Sequence, residues 1–171
     1  MEGVSAATRH VMQANKSKNT KPELLVRSAL RQAGLTGYRL HWKKAPGRPD
    51  ICYPGRRLAI FVNGCYWHRC PYCNLPLPRS NVEFWQAKFQ RNRARDRRDV
   101  EGLIASGWTV AVIWECRLKG SALEASMEEL VRLVRGCAKD QTGGRLVEIG
   151  STAPWRLRVT RERYHRLRVP R

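Results

Sequence analysis

At 171 residues the chain is long enough for one domain with its own core, in which roughly two thirds of the unfolded surface can be buried. Thirty-three Lys and Arg against 14 Asp and Glu leave a net charge of +19, far beyond what solubility needs, and such an excess implies a polyanionic partner. No apolar run is long enough to cross a membrane and Met1-Glu2-Gly3 does not open a signal peptide, which argues against secretion and for the cytoplasm, where clustered cysteines favour metal over disulfides.

Residues 1–20 read as a basic amino-terminal arm, in which Thr8 to Thr20 carries Arg9, Lys16 and Lys18 among small polar residues. Thr20-Lys21-Pro22-Glu23 then predicts a helix start: Thr20 caps, Pro22 suits the first turn and Glu23 completes a capping box. Gly34 ends this helix, and Leu24, Leu25, Leu30 and Ala33 supply an apolar stripe. Tyr38 to Trp42 is extended. After the break at Gly47-Arg48-Pro49, Asp50-Ile51-Cys52-Tyr53 and Arg57 to Val62 read as a hairpin turned at Pro54-Gly55. Glu83 to Ser106 is helical and closed by Gly107, Trp108 to Trp114 has the apolar, β-branched character of a buried strand, and a last helix spans Ser121 to Arg135. The order α-β-β-β-α-β-α over residues 21–140 predicts an α/β domain, a central mixed β-sheet flanked by helices. Residues 141–171 read as an arginine-rich tail, with seven arginines and one acid, Glu162, between Arg156 and Arg171. Arm and tail are either solvated charged segments or grips on the polyanion.

The cysteines carry the strongest chemical signal. Cys65-x4-Cys70-x2-Cys73 together with Cys116 at a strand end supplies four thiolates, enough for a closed tetrahedral structural Zn2+ site. A rival set uses Cys65 and His68 as ligands, but with four sulfurs at hand His68 need not coordinate and remains free to act as a base. Cys52 and Cys137 read as ordinary buried cysteines.

Asp50 stands at the start of one hairpin strand, and its partner runs directly into Asn63-Gly64-Cys65-Tyr66-Trp67-His68. An aspartate there can simply cap the turn. With His68 delivered next to it, the pair also suits phosphodiester cleavage, the carboxylate holding Mg2+ and the imidazole activating water. Tyr66, Trp67 and Trp85 are either core residues or platforms that stack on bases, since the helix opened by Phe84-Trp85 goes on to carry Lys88, Arg91, Arg93, Arg95, Arg97 and Arg98. Trp42, Trp108 and Trp114 look like core.

Pro46-Gly47-Arg48-Pro49-Asp50, Ile60-Phe61-Val62-Asn63-Gly64-Cys65-Tyr66-Trp67-His68, Glu83-Phe84-Trp85 with Asn92 and Arg95-Asp96, and Gly107-Trp108 with Val112-Ile113-Trp114-Glu115-Cys116 resemble the very short patch repair endonucleases in order and spacing over residues 8 to 120. The resemblance implies a zinc-bearing variant of the restriction-endonuclease-like core that nicks one strand of double-stranded DNA at a T·G mismatch left by deamination of 5-methylcytosine. It implies Asp50 as the Mg2+ carboxylate with the Val62 carbonyl as a further ligand, His68 as general base, and zinc on Cys65, Cys70, Cys73 and Cys116. Tyr66, Trp67 and Trp85 would form a wedge beside the mismatch, Met12 on the arm would press from the other groove, and Lys88, Arg91, Asn92 and Arg95 would contact DNA. Glu23 matches a family acid near the site as well as it matches a capping box. The chain departs from restriction-type nucleases in having Phe61-Val62-Asn63 where a Glu-x-Lys is usual, and from relatives that carry histidine at Asn63 or in the zinc loop. The expected enzyme is a monomer of the cytoplasm, associated with the nucleoid, with mismatch-repair proteins as candidate partners. Two other readings fit the same residues: a restriction-type endonuclease acting on unmismatched DNA, and a non-catalytic zinc-stabilised nucleic-acid binding module.

Overall fold

A computed structural model describes residues 18–137 and 143–151; most of the arm, with Met12, and the tail from 152 onward lie outside the described residues. The element order is α1 (Lys21–Gln32), β1 (Arg39–Leu40), β2 (Ile51–Tyr53), a 3-10 turn (Pro54–Arg56), β3 (Leu58–Asn63), α2 (Val82–Ala105), β4 (Thr109–Trp114), a second 3-10 turn (Glu115–Leu118), α3 (Ala122–Gly136) and β5 (Arg145–Ile149). The strands form one mixed sheet in the order β1-β2-β3-β4-β5, with β1, β2 and β3 antiparallel and β3, β4 and β5 parallel. The α/β architecture expected from the sequence is therefore present. No helix among the described residues is long and apolar enough to cross a membrane.

Alternation along the strands divides the core into two layers. Leu58, Ile60 and Val62 of β3 and Ala111 and Ile113 of β4 pack with Val26 and Leu30 of α1 and Leu130, Leu133 and Val134 of α3. Ala59 and the intervening β4 residues Val110, Val112 and Trp114 face the other way, against Leu103 of α2 and the buried sulfurs of Cys65 and Cys70. Trp42 and Trp108 join this second layer partly buried, with ring centroids 6.0 Å apart. Trp42 lies beyond β1, because the expected extended run shortens to Arg39–Leu40 and the chain turns at His41.

The capping box of α1 forms as expected. Its apolar stripe does not: Leu24 and Leu25 are 48% and 37% exposed, and the buried face is Glu23, Val26, Arg27 and Leu30. Those positions fall at i, i+3, i+4 and i+7, so a charged pair shares the inward face with two aliphatics. α2 is buried at Trp85, Phe89 and Leu103 near its two ends, and its arginine-rich middle stays in solvent, supported by pairs such as Arg97 to Glu101 at 2.8 Å.

β5 corrects the expected domain boundary. Arg145–Ile149 falls in the segment read as tail, yet it pairs with β4 along its whole length and buries Val147 and Ile149. Its entry requires a glycine: a Cβ on Gly144 would stand 1.9 Å from the Ile104 carbonyl oxygen. Gly144→Ala should therefore force β5 away from α2 and cost about 1–3 kcal/mol, the scale of an overpacked contact, measurable as a lowered urea midpoint.

Candidate active site

The parallel pair β3 and β4 ends in register at Asn63 and Trp114, and the loops leaving both strands border a cleft of about 970 Å³. Asp50, Val62, His68 and Glu23, four of the residues singled out from sequence, all line it.

Asp50 directly precedes β2, whose register sets it beside the end of β3, and its Oδ2 accepts the Val62 N–H at 2.8 Å. Burial pushes its carboxyl up from 3.8 to about 6; the Val62 N–H opposes this, nearby Glu23 adds to it, and His68 and Arg27 pull it back. Asp50 is thus a carboxylate whose buried charge its neighbours compensate only in part.

His68 sits in the turn after β3, where His68 N–H donates to the Gly64 carbonyl at 3.1 Å and Cys70 N–H to that of Cys65 at 2.9 Å. Its ring bonds not to Asp50 but to Asp96 of α2, with Nδ1 2.5 Å from Oδ2. With a carboxylate accepting at Nδ1, Nε2 is left as the proton acceptor of the neutral ring. Asn92 Nδ2, one turn before Asp96, donates to the Trp67 carbonyl at 3.1 Å and ties the loop to the same helix. Lys88, Asn92, Arg95 and Asp96 share one face of α2 on the cleft, whereas Arg91 is exposed off that lining.

The four cysteines converge. The sulfurs of Cys65, Cys70, Cys73 and Cys116 lie within 4.8 Å of one another, with Cys70 and Cys116 3.8 Å apart. Four sulfurs about 2.3 Å from one ion define a tetrahedron with edges of about 3.8 Å, so the donor set fits Zn2+. Cys116 N–H donates to Cys65 Sγ at 3.3 Å. Burial raises the Cys65 thiol, and likewise Cys116 to about 11, so without a cation these groups hold their protons. Cys52 and Cys137 are buried elsewhere, as expected.

Tyr66 and Trp67 pack on α2 in an aromatic cluster. Tyr66 meets Trp67, Trp85 and Phe89 edge-on at 5.2, 6.1 and 5.3 Å, and Lys88 Nζ lies 5.2 Å from the Trp67 ring centroid. Trp67 borders the cleft. Trp85 is only 7% exposed and underlies it in the free protein.

Two residues of the site had no role from sequence reasoning, Asp96 and His41. Asp96 was signalled by its spacing, since 88, 92 and 96 fall on one helical face. His41 gave no signal: it is a single histidine between a short strand and a basic turn. Its ring nevertheless lies between Glu23 and Asp50, with Nε2 3.6 Å from Glu23 Oε2 and Nδ1 3.7 Å from Asp50 Oδ1. Desolvation lowers its pKa, against the opposing pull of Glu23. Glu23 caps α1, and its buried carboxylate also lines the cleft.

The family profile described as DNA mismatch endonuclease Vsr matches residues 4–74, a span that includes Asp50, Val62, His68 and three of the four clustered cysteines. The nicking enzyme V.XorIIP of Xanthomonas oryzae pv. oryzae is 47% identical over 124 residues, 72% of this chain and 90% of its own length. The chain belongs to the Vsr family. DNA mismatch endonuclease Vsr of Escherichia coli K12 is 36% identical over 126 residues, covering 70% of this chain and 80% of the relative, and nicking enzyme V.NaeI of Lentzea aerocolonigenes is 37% identical over 130 residues, covering 73% and 77%. This Vsr-family chain is accordingly a DNA endonuclease, a phosphodiester hydrolase.

The raised pKa of Asp50 has a consequence for stability. The unfolded carboxyl ionises before the folded one, so stability falls as pH rises from about 4 to about 6 and is level above, by up to about 3 kcal/mol. In buffer free of divalent ions, Asp50→Asn should be more stable than the parent at pH 8, and the gain should shrink towards nothing near pH 4. Urea unfolding at both pH values measures it; an equal gain at both would reject burial of the charge as the cause.

Proposed function

We propose that this Vsr-family endonuclease nicks one strand of duplex DNA on the 5′ side of the thymine in a T·G mismatch, by Mg2+-dependent hydrolysis. The observation that carries the reading is the pairing of His68 with Asp96 across the same cleft that holds the under-compensated carboxylate of Asp50. Asp50 and the Val62 carbonyl fit a hard divalent cation, which when bound supplies positive charge to the phosphate and to the departing 3′-oxygen. His68, its Nδ1 proton held by Asp96, takes a proton at Nε2 from the water that attacks phosphorus in line. Asp96 orients the ring and offsets the charge it gains. Glu23 stays beneath Asp50 as a buried acid. Phe61-Val62-Asn63 offers no Glu-x-Lys, so the base comes from the loop rather than from the second strand of a restriction-endonuclease-like core.

Mismatch preference is assigned to the aromatic cluster. Trp67, which borders the cleft, would enter the stack there with Tyr66 and Trp85 packed against it; unstacking costs a few kcal/mol per step and less at a weak wobble pair. Lys88, Asn92 and Arg95 would contact the strand along α2, with Arg91, the arm bearing Met12 and the arginine-rich tail adding contacts around them. Zn2+ on the four cysteines would hold the loop that carries Trp67 and His68. This activity suits a monomer on the nucleoid in the cytoplasm, with mismatch-repair proteins as further partners.

The decisive comparison is nicking of matched oligonucleotide duplexes that differ only in T·G against T·A. The parent should nick T·G selectively, His68→Ala should lose at least about a hundredfold while still binding DNA, and Trp67→Ala should lose T·G nicking with little change in thermal stability. Equal nicking of both duplexes by the parent would rule out mismatch recognition and favour a restriction-type activity.

Elemental analysis should find one zinc per chain, and Cys116→Ser should lose it together with several kcal/mol of stability. Folded, active protein without zinc would exclude the structural metal.

A further inference from the structure

The floor beneath Asp50 holds a chain of contacts that the hydrolysis itself does not use. Arg27 and Glu23, 5% and 3% exposed, pair at 2.7 Å on the inward face of α1. Arg27 Nη1 also donates to Asn19 Oδ1 at 2.6 Å, and Nη2 stands 3.4 Å from His41 Nε2. A guanidinium has only N–H groups to offer, so a hydrogen bond at that contact makes Nε2 the acceptor, while Glu23 Oε2, 3.6 Å from the same nitrogen, stands beyond hydrogen-bond reach. The single proton of a neutral imidazole then resides on Nδ1, the nitrogen that faces Asp50 Oδ1 at 3.7 Å. The other carboxylate oxygen, Oδ2, is already held by the Val62 N–H at 2.8 Å.

His41 reaches this place through its backbone. Its φ is +46°, in the left-handed region that non-glycine residues seldom adopt. His41 N–H donates to the Asp50 carbonyl at 3.4 Å, so the same turn that strains the residue also fastens it to Asp50.

We infer that His41 is a positioning residue for Asp50: with its tautomer fixed by Arg27, it aims Nδ1–H at Oδ1 and, with the Val62 N–H, presets the carboxylate for its cation. The inference rests on Asp50 as the metal-binding carboxylate. Glu23 then contributes by holding Arg27, not by ligation. A direct role of His41 as ligand would require Nδ1 to shed its proton and Nε2–H to face the guanidinium.

Mn2+ serves as the probe, titrated into the full chain without DNA and read by electron paramagnetic resonance. His41→Gly removes the ring while relieving the backbone, and His41→Asn restores an amide N–H near the position of Nδ1 and tolerates a left-handed backbone. His41→Gly should weaken Mn2+ binding by about tenfold, His41→Asn should stay within about twofold of the parent, and pulsed spectra of the parent should show no directly coordinated nitrogen. Parent-like affinity in His41→Gly, with binding lost in Asp50→Asn, would overturn the inference alone. A coordinated imidazole nitrogen that vanishes in His41→Gly would overturn it in favour of ligation. Unchanged affinity in Asp50→Asn would instead bring down the assignment of the metal to Asp50.

Discussion

The parallel pairing of β3 with β4 is the constraint from which the rest of the site follows. Asn63 lies opposite Trp114, so Cys65 and Cys116 each stand two residues beyond a matched pair and meet without any search by the loops that carry them. The same strand end delivers the His68 turn, while the antiparallel neighbour β2 brings Asp50 against Val62. Open α/β sheets bind ligands at the carboxyl ends of their parallel strands, and this cleft obeys that rule.

Charge is arranged against the overall trend of the molecule. Of 14 acidic residues in a chain of net charge +19, Glu23, Asp50, Asp96, Asp99 and Glu115 border the one cleft. A basic exterior attracts a polyanion, but its phosphates would meet carboxylates in this cleft. Lys18, Lys21, Arg48, Lys88 and Arg95 line the same cleft and offset that repulsion.

Much of this was legible in the chain because it is written locally. The Thr20–Glu23 capping box, the β-branched run before Trp114 and the cysteine spacing each depend on neighbours a few residues away. β5 was not, because Arg145 and Glu148 interrupt its apolar alternation and its burial comes from distant segments, β4 beside it and the helices packed on the sheet. The inward face of α1 was misread for a related reason: Leu24 and Leu25 are more apolar than Glu23 and Arg27, yet the latter two satisfy each other and so can be buried. Trp85 could be platform or core on sequence grounds, and only the meeting of two distant segments places it beneath Trp67 and Tyr66. His41 acquires its role from a turn that no periodicity announces.

α2 has a mechanical consequence. It is seated on aromatic rings at one end and on the sheet through Leu103 at the other, with a polar span of several turns between. Such a helix links its two seats as a strut. Displacement of the aromatic end, were Trp67 to enter a base stack as proposed, would reach Asp96 and through it the ring of His68. Under the roles proposed for Trp67 and His68, sensing the substrate and cocking the base would be two readings of one lever, with no separate signal between them.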